Sequence, residues 1–214
     1  MRILAIPVKS LAKAKTRLAP VLSPMERAAL TLAMLEDVLD AALPVPGWES
    51  WVVSPDEAAL EIAAQRGARP VPEEKPPLAS AIRQIEAEAT ELDADALAVL
   101  LADLPLVTPE VLQAALRTLG TVVLAPSTGD GGTNLLLRRP PRAIGARFGR
   151  DSFAKHRASA DSRGFPAAIV SSPELTVDLD VPEDIVRVVN EAKAGRTLTS
   201  LLELDAVSRV AALV

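Results

Sequence analysis

Along the chain, short runs of Val, Ile, Leu and Ala alternate with longer stretches in which apolar residues recur every three or four positions. The first pattern fits buried strands and the second amphipathic helices. Arg2–Val8 reads as a strand, and Pro24–Leu43 as a helix carrying Leu30, Met34, Leu35 and Val38 on one face. That helix has a marked start: Ser23 is placed to cap it, Pro24 takes the first helical position, and Glu26 completes a capping box. The same signature at Ser54-Pro55-Asp56-Glu57 follows the strand-like Trp51-Val52-Val53 and predicts a helix stopping at Gly67.

Beyond it the pattern predicts a strand over Ala68–Val71, a helix over Leu78–Glu91 and the most apolar strand, Ala96–Ala102. A helix opened by Thr108-Pro109-Glu110 runs to near Gly120, and Thr121–Ala125 is another strand. Regularity then weakens. Ser127–Asn134 is a glycine-rich loop, Leu135–Leu137 a short strand, Asp151–Ser162 a helix, Ala168–Ser171 a strand and Pro182–Ala194 a helix before a helical tail. Strands alternating with helices of about ten or more residues imply an α/β fold, a mainly parallel sheet flanked by helices in the Rossmann-like manner. With no internal repeat, low-complexity tract or linker, one domain over residues 1–214 is expected.

Composition narrows the chemistry. Aromatic residues make up only 2% of the chain, so the core must be built from Ala, Val, Leu and Ile. With no cysteine and one histidine, thiolate catalysis, iron–sulfur ligation and Cys- or His-rich metal sites are excluded. A formal net charge of −5 argues against a nucleic-acid surface, which needs clustered excess Lys and Arg. No apolar run is long enough to span a bilayer, and the opening Met1–Ile6 meets Pro7 and Lys9 too soon for a secretory signal. The expectation is a cytoplasmic protein with no membrane partner.

In open α/β sheets, ligands sit outside the carboxyl ends of the strands. There the first strand is followed by Lys9, Lys13, Lys15 and Arg17, four cations within nine residues of an acidic protein. They read either as a solvated basic loop or as a clamp on phosphate oxygens. No Walker lysine motif and no GxGxxG are present, which removes support from P-loop enzymes and dinucleotide dehydrogenases. Asp103 ends a wholly apolar strand, where a carboxylate caps a turn or holds a cation; one or two carboxylates plus substrate phosphates suit magnesium. Asp178 and Asp180 fall on one side of an extended segment, with Asp180 alternatively capping the helix at Pro182. Glycines in Asp130-Gly131-Gly132-Thr133-Asn134 allow close backbone approach to a ligand. Ser152, near the start of its helix after Gly149, is placed for an anion, and His156 lies one turn further on.

Taken in order, several motifs resemble the 2-phospho-L-lactate guanylyltransferase family, whose bacterial members include phosphoenolpyruvate guanylyltransferases. They are Ile6-Pro7-Val8-Lys9, Ala14-Lys15-Thr16-Arg17-Leu18, Ala102-Asp103-Leu104-Pro105-Leu106, Gly132-Thr133-Asn134, Phe148-Gly149 with Ser152-Phe153 and His156, and Val177-Asp178-Leu179-Asp180. The resemblance implies a glycosyltransferase-A-like nucleotidyltransferase fold, GTP as cosubstrate, Mg2+ as cofactor, a small-molecule phosphoacid as acceptor and a step in coenzyme F(420) biosynthesis. It also implies metal binding by Asp103 and Asp180, with Asp178 as a further candidate, and catalytic contacts from Lys9, Lys15, Arg17 and Asp103 around the nucleotide. Thr133, Gly149 and Ser152 match positions that hold the phosphoacid. One departure is Pro77-Leu78-Ala79-Ser80, where the family usually shows a Gly-Leu-Asn-like stretch at the nucleotide; it bears on guanine selectivity.

Two other readings stay open at this level. One is a nucleotidyltransferase of the same fold directed at a molybdopterin or sugar phosphate, against which stands the absence of a glycine-rich Leu-Ala-Gly-Gly-like first loop. The other is a nucleotide- or phosphoacid-binding module without turnover. The acceptor, among phosphoenolpyruvate, 2-phospho-L-lactate and 3-phosphoglycerate, is not legible in the sequence. The Ala- and Leu-rich tail from Leu198 fits either a homodimer contact or a segment folded back on its own chain.

Overall fold

The computed structural model describes residues 1–75 and 78–213. Its first half repeats the βα unit: β1 (Arg2–Pro7), α1 (Pro24–Ala42), β2 (Glu49–Ser54), α2 (Glu57–Arg66), β3 (Arg69–Pro72), α3 (Leu78–Glu91), β4 (Ala96–Leu100) and α4 (Pro109–Arg117). The second half comprises β5 (Val122–Pro126), β6 (Thr133–Arg138), α5 (Ser152–Ser162), β7 (Ala168–Ile169), α6 (Pro173–Thr176), α7 (Pro182–Glu191), α8 (Arg196–Glu203) and α9 (Ala206–Ala211). The strands form one seven-stranded sheet in the order β3-β2-β1-β4-β6-β5-β7. The expected α/β class with a mainly parallel sheet is what the chain adopts.

β6 is the exception to the parallel rule, running antiparallel to both β4 and β5. This reversal matters for the site. Leu100 at the carboxyl end of β4 is registered opposite Leu135 near the amino end of β6. Thr133 and Asn134, which the sequence pattern assigns to a loop, are therefore strand residues at the carboxyl edge of β4. Their side chains are buried there rather than solvated.

Alternate residues of each strand feed opposite faces. Leu4, Ile6 and Val52 pack under Leu35, Val38, Leu39 and Ala42 of α1. Ile3, Ala5, Trp51 and Val53 pack against Ile82, Ile85 and Ala89 of α3 on the other face. β4 is buried along its whole length, as its unbroken apolar sequence requires of a central strand covered on both faces. The capping box at Ser23 forms as the sequence predicts, with Glu26 N donating to Ser23 Oγ and Ser23 N donating to Glu26 Oε2.

The cap predicted at Ser54 does not form: α2 begins at Glu57 rather than Pro55, and Ser54 Oγ accepts Asp56 N at 3.1 Å ahead of the helix. Asp56, at the N-cap, makes no side-chain bond to the helix. Its carboxylate instead accepts Leu11 N at 2.7 Å, tying the segment after β1 to β2. The tail folds back on its own chain. Leu30 and Met34 on the outer side of α1 pack with Ile185, Val188, Leu201 and Ala206. Buried Asp37 of α1 caps α8 by accepting Arg196 N at 2.7 Å and Thr197 N at 2.9 Å. A Cβ on Gly195 would come within 3.0 Å of that carboxylate, and the residue sits at φ +130°, so glycine is required there.

Asp37→Ala strips both cap bonds and leaves the buried Thr197 N and the half-buried Arg196 N without their acceptor. The expected loss is about 3 kcal/mol in urea unfolding, with earlier hydrogen exchange in α8 than in the sheet.

Candidate active site

The segment after β1 has no regular length of helix to hold it, only two short 3-10 turns over Leu11–Lys13 and Thr16–Leu18. Its shape is imposed from beneath. Arg27 of α1 is buried and donates to Ala14 O and Leu22 O, while Asp56 holds Leu11. Between these anchors Lys15 is forced into the left-handed region at φ 49°, an uncommon conformation for a residue with a Cβ. The backbone turn aims its side chain inward, where only 8% of it is exposed.

Lys15 Nζ meets Asp103 Oδ2 at 2.7 Å and lies 3.6 Å from Asp180 Oδ1. Two carboxylates far apart in sequence are thus gathered on one ammonium. A backbone bond fixes their meeting: Leu179 N donates to Asp103 O at 3.0 Å, pinning the segment before α7 beside the end of β4. Asp180 also receives Arg17 at 2.8 Å. It does not cap α7, as one reading of the sequence allowed. Asp184 takes that part, accepting Asp180 N and Val181 N at 2.8 Å each, which leaves the Asp180 carboxylate to the cations.

Asp178 lies deeper. Its Oδ1 accepts Ser127 Oγ at 2.7 Å, with Asn134 Nδ2 at 3.5 Å. Burial, opposed by the Ser127 hydroxyl and reinforced by the charge of Asp103, pushes the Asp178 carboxyl above its ordinary pKa. For Lys15, burial alone would favour the neutral amine, but Asp103 first and then Asp180 and Asp178 outweigh it and raise its pKa. The ammonium is the counter-charge of the cluster.

Thr133, Gly149 and Ser152 form the neighbouring part. Thr133 and Ser152 are buried and their hydroxyl oxygens lie 3.1 Å apart. Phe153 N donates to Gly131 O, which clasps the start of α5 to the glycine loop. A Cβ on Gly132 would come within 2.5 Å of Asp130 Oδ1 and displace that side chain from its bond to Gly132 N. Gly149 sits at φ +114°. A cleft of about 500 Å³ lined by Arg17, Gly129, Asp130, Arg150 and Asp151 opens beside these groups. Lys9, just past the end of β1, is exposed. Pro77 lies outside the described residues, and Ser80 receives a hydrogen bond from Arg83 at 2.9 Å.

The sequence pattern passed over Ser127 and Arg27, and left His156 facing either ligand or solvent. It is fully buried, with Thr133 Oγ1 3.0 Å from its Nδ1. Burial first, then the positive charges of Arg138, Arg147 and Lys155, lower its pKa to about 4.

Could this cluster hold a divalent cation? Asp103 Oδ1 is buried and has no hydrogen-bond partner, an acceptor still free for a ligand. Among the described residues no three acidic or histidine side chains close on one point. Two carboxylates completed by substrate phosphate oxygens do fit magnesium.

Residues 1–205 match the family described as guanylyl transferase CofC like. The chain is 39% identical over 196 residues to a phosphoenolpyruvate guanylyltransferase of Sphaerobacter thermophilus, covering 90% of this chain and 95% of that protein. It is 40% identical over 198 residues to a 3-phospho-D-glycerate guanylyltransferase of Phenylobacterium zucineum, covering 89% and 91%. In fold it is similar to a protein of Desulfovibrio desulfuricans G20 named for nucleotide-diphospho-sugar transfer. That match has a TM-score of 0.81 at 19% identity over 99% of this chain and 98% of the other.

Two stability measurements check the electrostatics. Lys15→Met leaves the carboxylates without their ammonium and is expected to cost on the order of 2 kcal/mol at neutral pH. Millimolar magnesium chloride, able to supply the missing charge, narrows that loss. For His156, a folded pKa of about 4 against an ordinary 6.5 means that the unfolded chain binds the extra proton between those values. Its contribution is complete above about pH 6.5 and is lost as pH falls toward 4, at up to roughly 1.4 kcal/mol per pH unit. His156→Gln removes that proton from the balance, so its stability falls less steeply with acidification than that of the native chain.

Proposed function

The chain belongs to the CofC-like guanylyl transferase family, and from that premise we propose that it transfers GMP from GTP to the phosphate of a three-carbon phosphoacid, with release of pyrophosphate, in coenzyme F(420) biosynthesis. The observation that carries the reading is the gathering of Asp103 and Asp180 on Lys15 at the carboxyl edge of the sheet. That is where α/β folds bind their ligands. Phosphoenolpyruvate, 2-phospho-L-lactate and 3-phosphoglycerate share the chemistry the site needs, a phosphomonoester beside a carboxylate.

The acceptor brings its own nucleophile. A phosphomonoester, with a second pKa near 6, is largely dianionic at pH 7. Its oxygen forms the new bond to the α-phosphorus of GTP as the bond to the β-phosphate bridging oxygen breaks, and the electron pair leaves with pyrophosphate. No general base is required. The barrier is one of repulsion between anions and of alignment, so positioning and fixed charge do the catalysis.

Asp103 and Asp180 are the residues that would hold magnesium, with Asp178 behind them, and the ion when bound supplies positive charge to the triphosphate. Lys15 and Arg17, already beside those carboxylates, meet the nucleotide phosphates, and Lys9 does so from the rim. Arg17 presents a planar fork suited to phosphate oxygens. Thr133, Gly149 and Ser152 hold the phosphoacid, across the cleft that Arg17 shares with Asp130 and Arg150.

The test incubates the protein with GTP, magnesium chloride and each of the three phosphoacids, and identifies the product by mass. A guanylylated phosphoacid with stoichiometric pyrophosphate is expected from at least one of them. Asp103→Asn is expected to lower kcat by on the order of 100-fold or more while leaving the fold, checked by circular dichroism, unchanged. Near-normal turnover in that variant would remove Asp103 from the mechanism, and no product from any acceptor would overturn the activity.

A further inference from the structure

Both ring nitrogens of His156, the chain's one histidine, are engaged. Nε2 lies 2.7 Å from the backbone N–H of Arg147, and Nδ1 3.0 Å from Thr133 Oγ1. A backbone amide can only donate. Nε2 is therefore the unprotonated nitrogen, and the neutral ring carries its proton on Nδ1, from which it donates to Thr133. Phe148 packs edge-on against the ring with centroids 5.3 Å apart, which fixes its plane.

A proton balance follows. Thr133 and Ser152 own one hydroxyl proton each, and their oxygens are 3.1 Å apart, so one proton is spent between them in either direction. The second cannot go to Nδ1, which is itself a donor. Among the described residues Thr133 and Ser152 make no other side-chain hydrogen bond. The pair thus keeps one buried O–H without an acceptor, a costly arrangement in a closed protein and a useful one beside an anion. With the opposite tautomer Nδ1 would absorb that proton, and the pair would have none to offer.

We propose that His156 is a positioning residue for the acceptor: by donating from Nδ1 to Thr133 it fixes the Thr133–Ser152 hydroxyl pair as a net hydrogen-bond donor to an anionic oxygen of the phosphoacid. The inference rests on the reading of Thr133, Gly149 and Ser152 as the acceptor pocket. His156 touches no reacting atom and exchanges no proton with substrate. It acts only through the direction it imposes on two hydroxyls.

A lone histidine makes the tautomer directly measurable. In long-range 1H–15N spectra of the full-length protein at neutral pH, Nδ1 is expected as the protonated nitrogen and Nε2 as the bare one. Adding phosphoenolpyruvate or 3-phosphoglycerate is expected to move both signals without changing the tautomer. Steady-state kinetics supply the second arm. His156→Leu, which removes the donor, is expected to raise the KM of the acceptor by about tenfold to a hundredfold while the KM of GTP changes less than about twofold. His156→Gln, whose side-chain amide can donate, recovers part of that loss.

A proton found on Nε2 would overturn the proposal. So would a His156→Leu variant that weakens GTP and acceptor alike, or a Gln variant no better than Leu. If Leu prevents folding, the tautomer and the Gln variant still decide. Absence of turnover in the native protein would instead sink the activity itself, and the tautomer measurement needs no turnover.

Discussion

One ammonium holds the site in shape. Asp103 and Asp180 meet beyond the end of the most apolar strand of an acidic chain, with the charge of Asp178 nearby, and their mutual repulsion would drive them apart without a charge between them. Lys15 supplies that charge from within the fold, and everything that fixes Lys15 fixes the cluster. Arg27 shapes the loop from below, Asp56 ties it to β2, and the left-handed turn at Lys15 itself points the side chain inward. Strain at one backbone position is offset by the ion pairs it makes possible.

The arrangement also explains how a chain of net charge −5 can receive a triphosphate. Its positive groups are local and already oriented by carboxylates that a divalent cation would engage in their place. On the proposed function, Asp103 and Asp180 would hold a divalent cation, which would supply positive charge to the triphosphate, and Lys15 and Arg17, held beside them by ion pairs, would then have the phosphates as partners. The acidic cluster keeps these two cationic side chains oriented in the free protein.

Much of the fold was legible because local signals and global packing agree in the first half of the chain. Ser23 and Glu26 state a capping box and form one; the alternating residues of β1 and β2 divide between two helical layers as their pattern requires. Legibility ended where a side chain had two physically acceptable uses. Ser54 looks like a helix cap and instead accepts Asp56 N in a turn ahead of α2; Asp180 looks like one and is spent on Lys15 and Arg17, while Asp184 accepts Asp180 N and Val181 N at the start of α7. Nothing in periodicity announces that β6 runs backwards, since a buried strand reads alike in both directions. Yet that reversal carries Thr133 and Asn134 to the ligand edge. The structure brings the Asp and Lys motifs together, and likewise the Gly-Thr and Ser motifs. Which oxygen meets which nitrogen depends on the fold around them.

The site divides into two halves of different physical character, and the division suits the chemistry. Around Lys15 the groups are charged and partly open, which would let them exchange partners if a cation entered with the triphosphate. Around Thr133 they are neutral, buried and hydrogen-bonded, with a histidine whose pKa is lowered first by burial and then by the charges of Arg138, Arg147 and Lys155. A second cation at His156 would bind a phosphoacid more tightly, but it would also pull electron density from the phosphate oxygen that must attack. If the proposed roles hold, neutral hydroxyls would orient the same anion with a smaller effect on its charge. Binding energy would then serve alignment, with the positive charge concentrated at the triphosphate, where the leaving pyrophosphate develops its own.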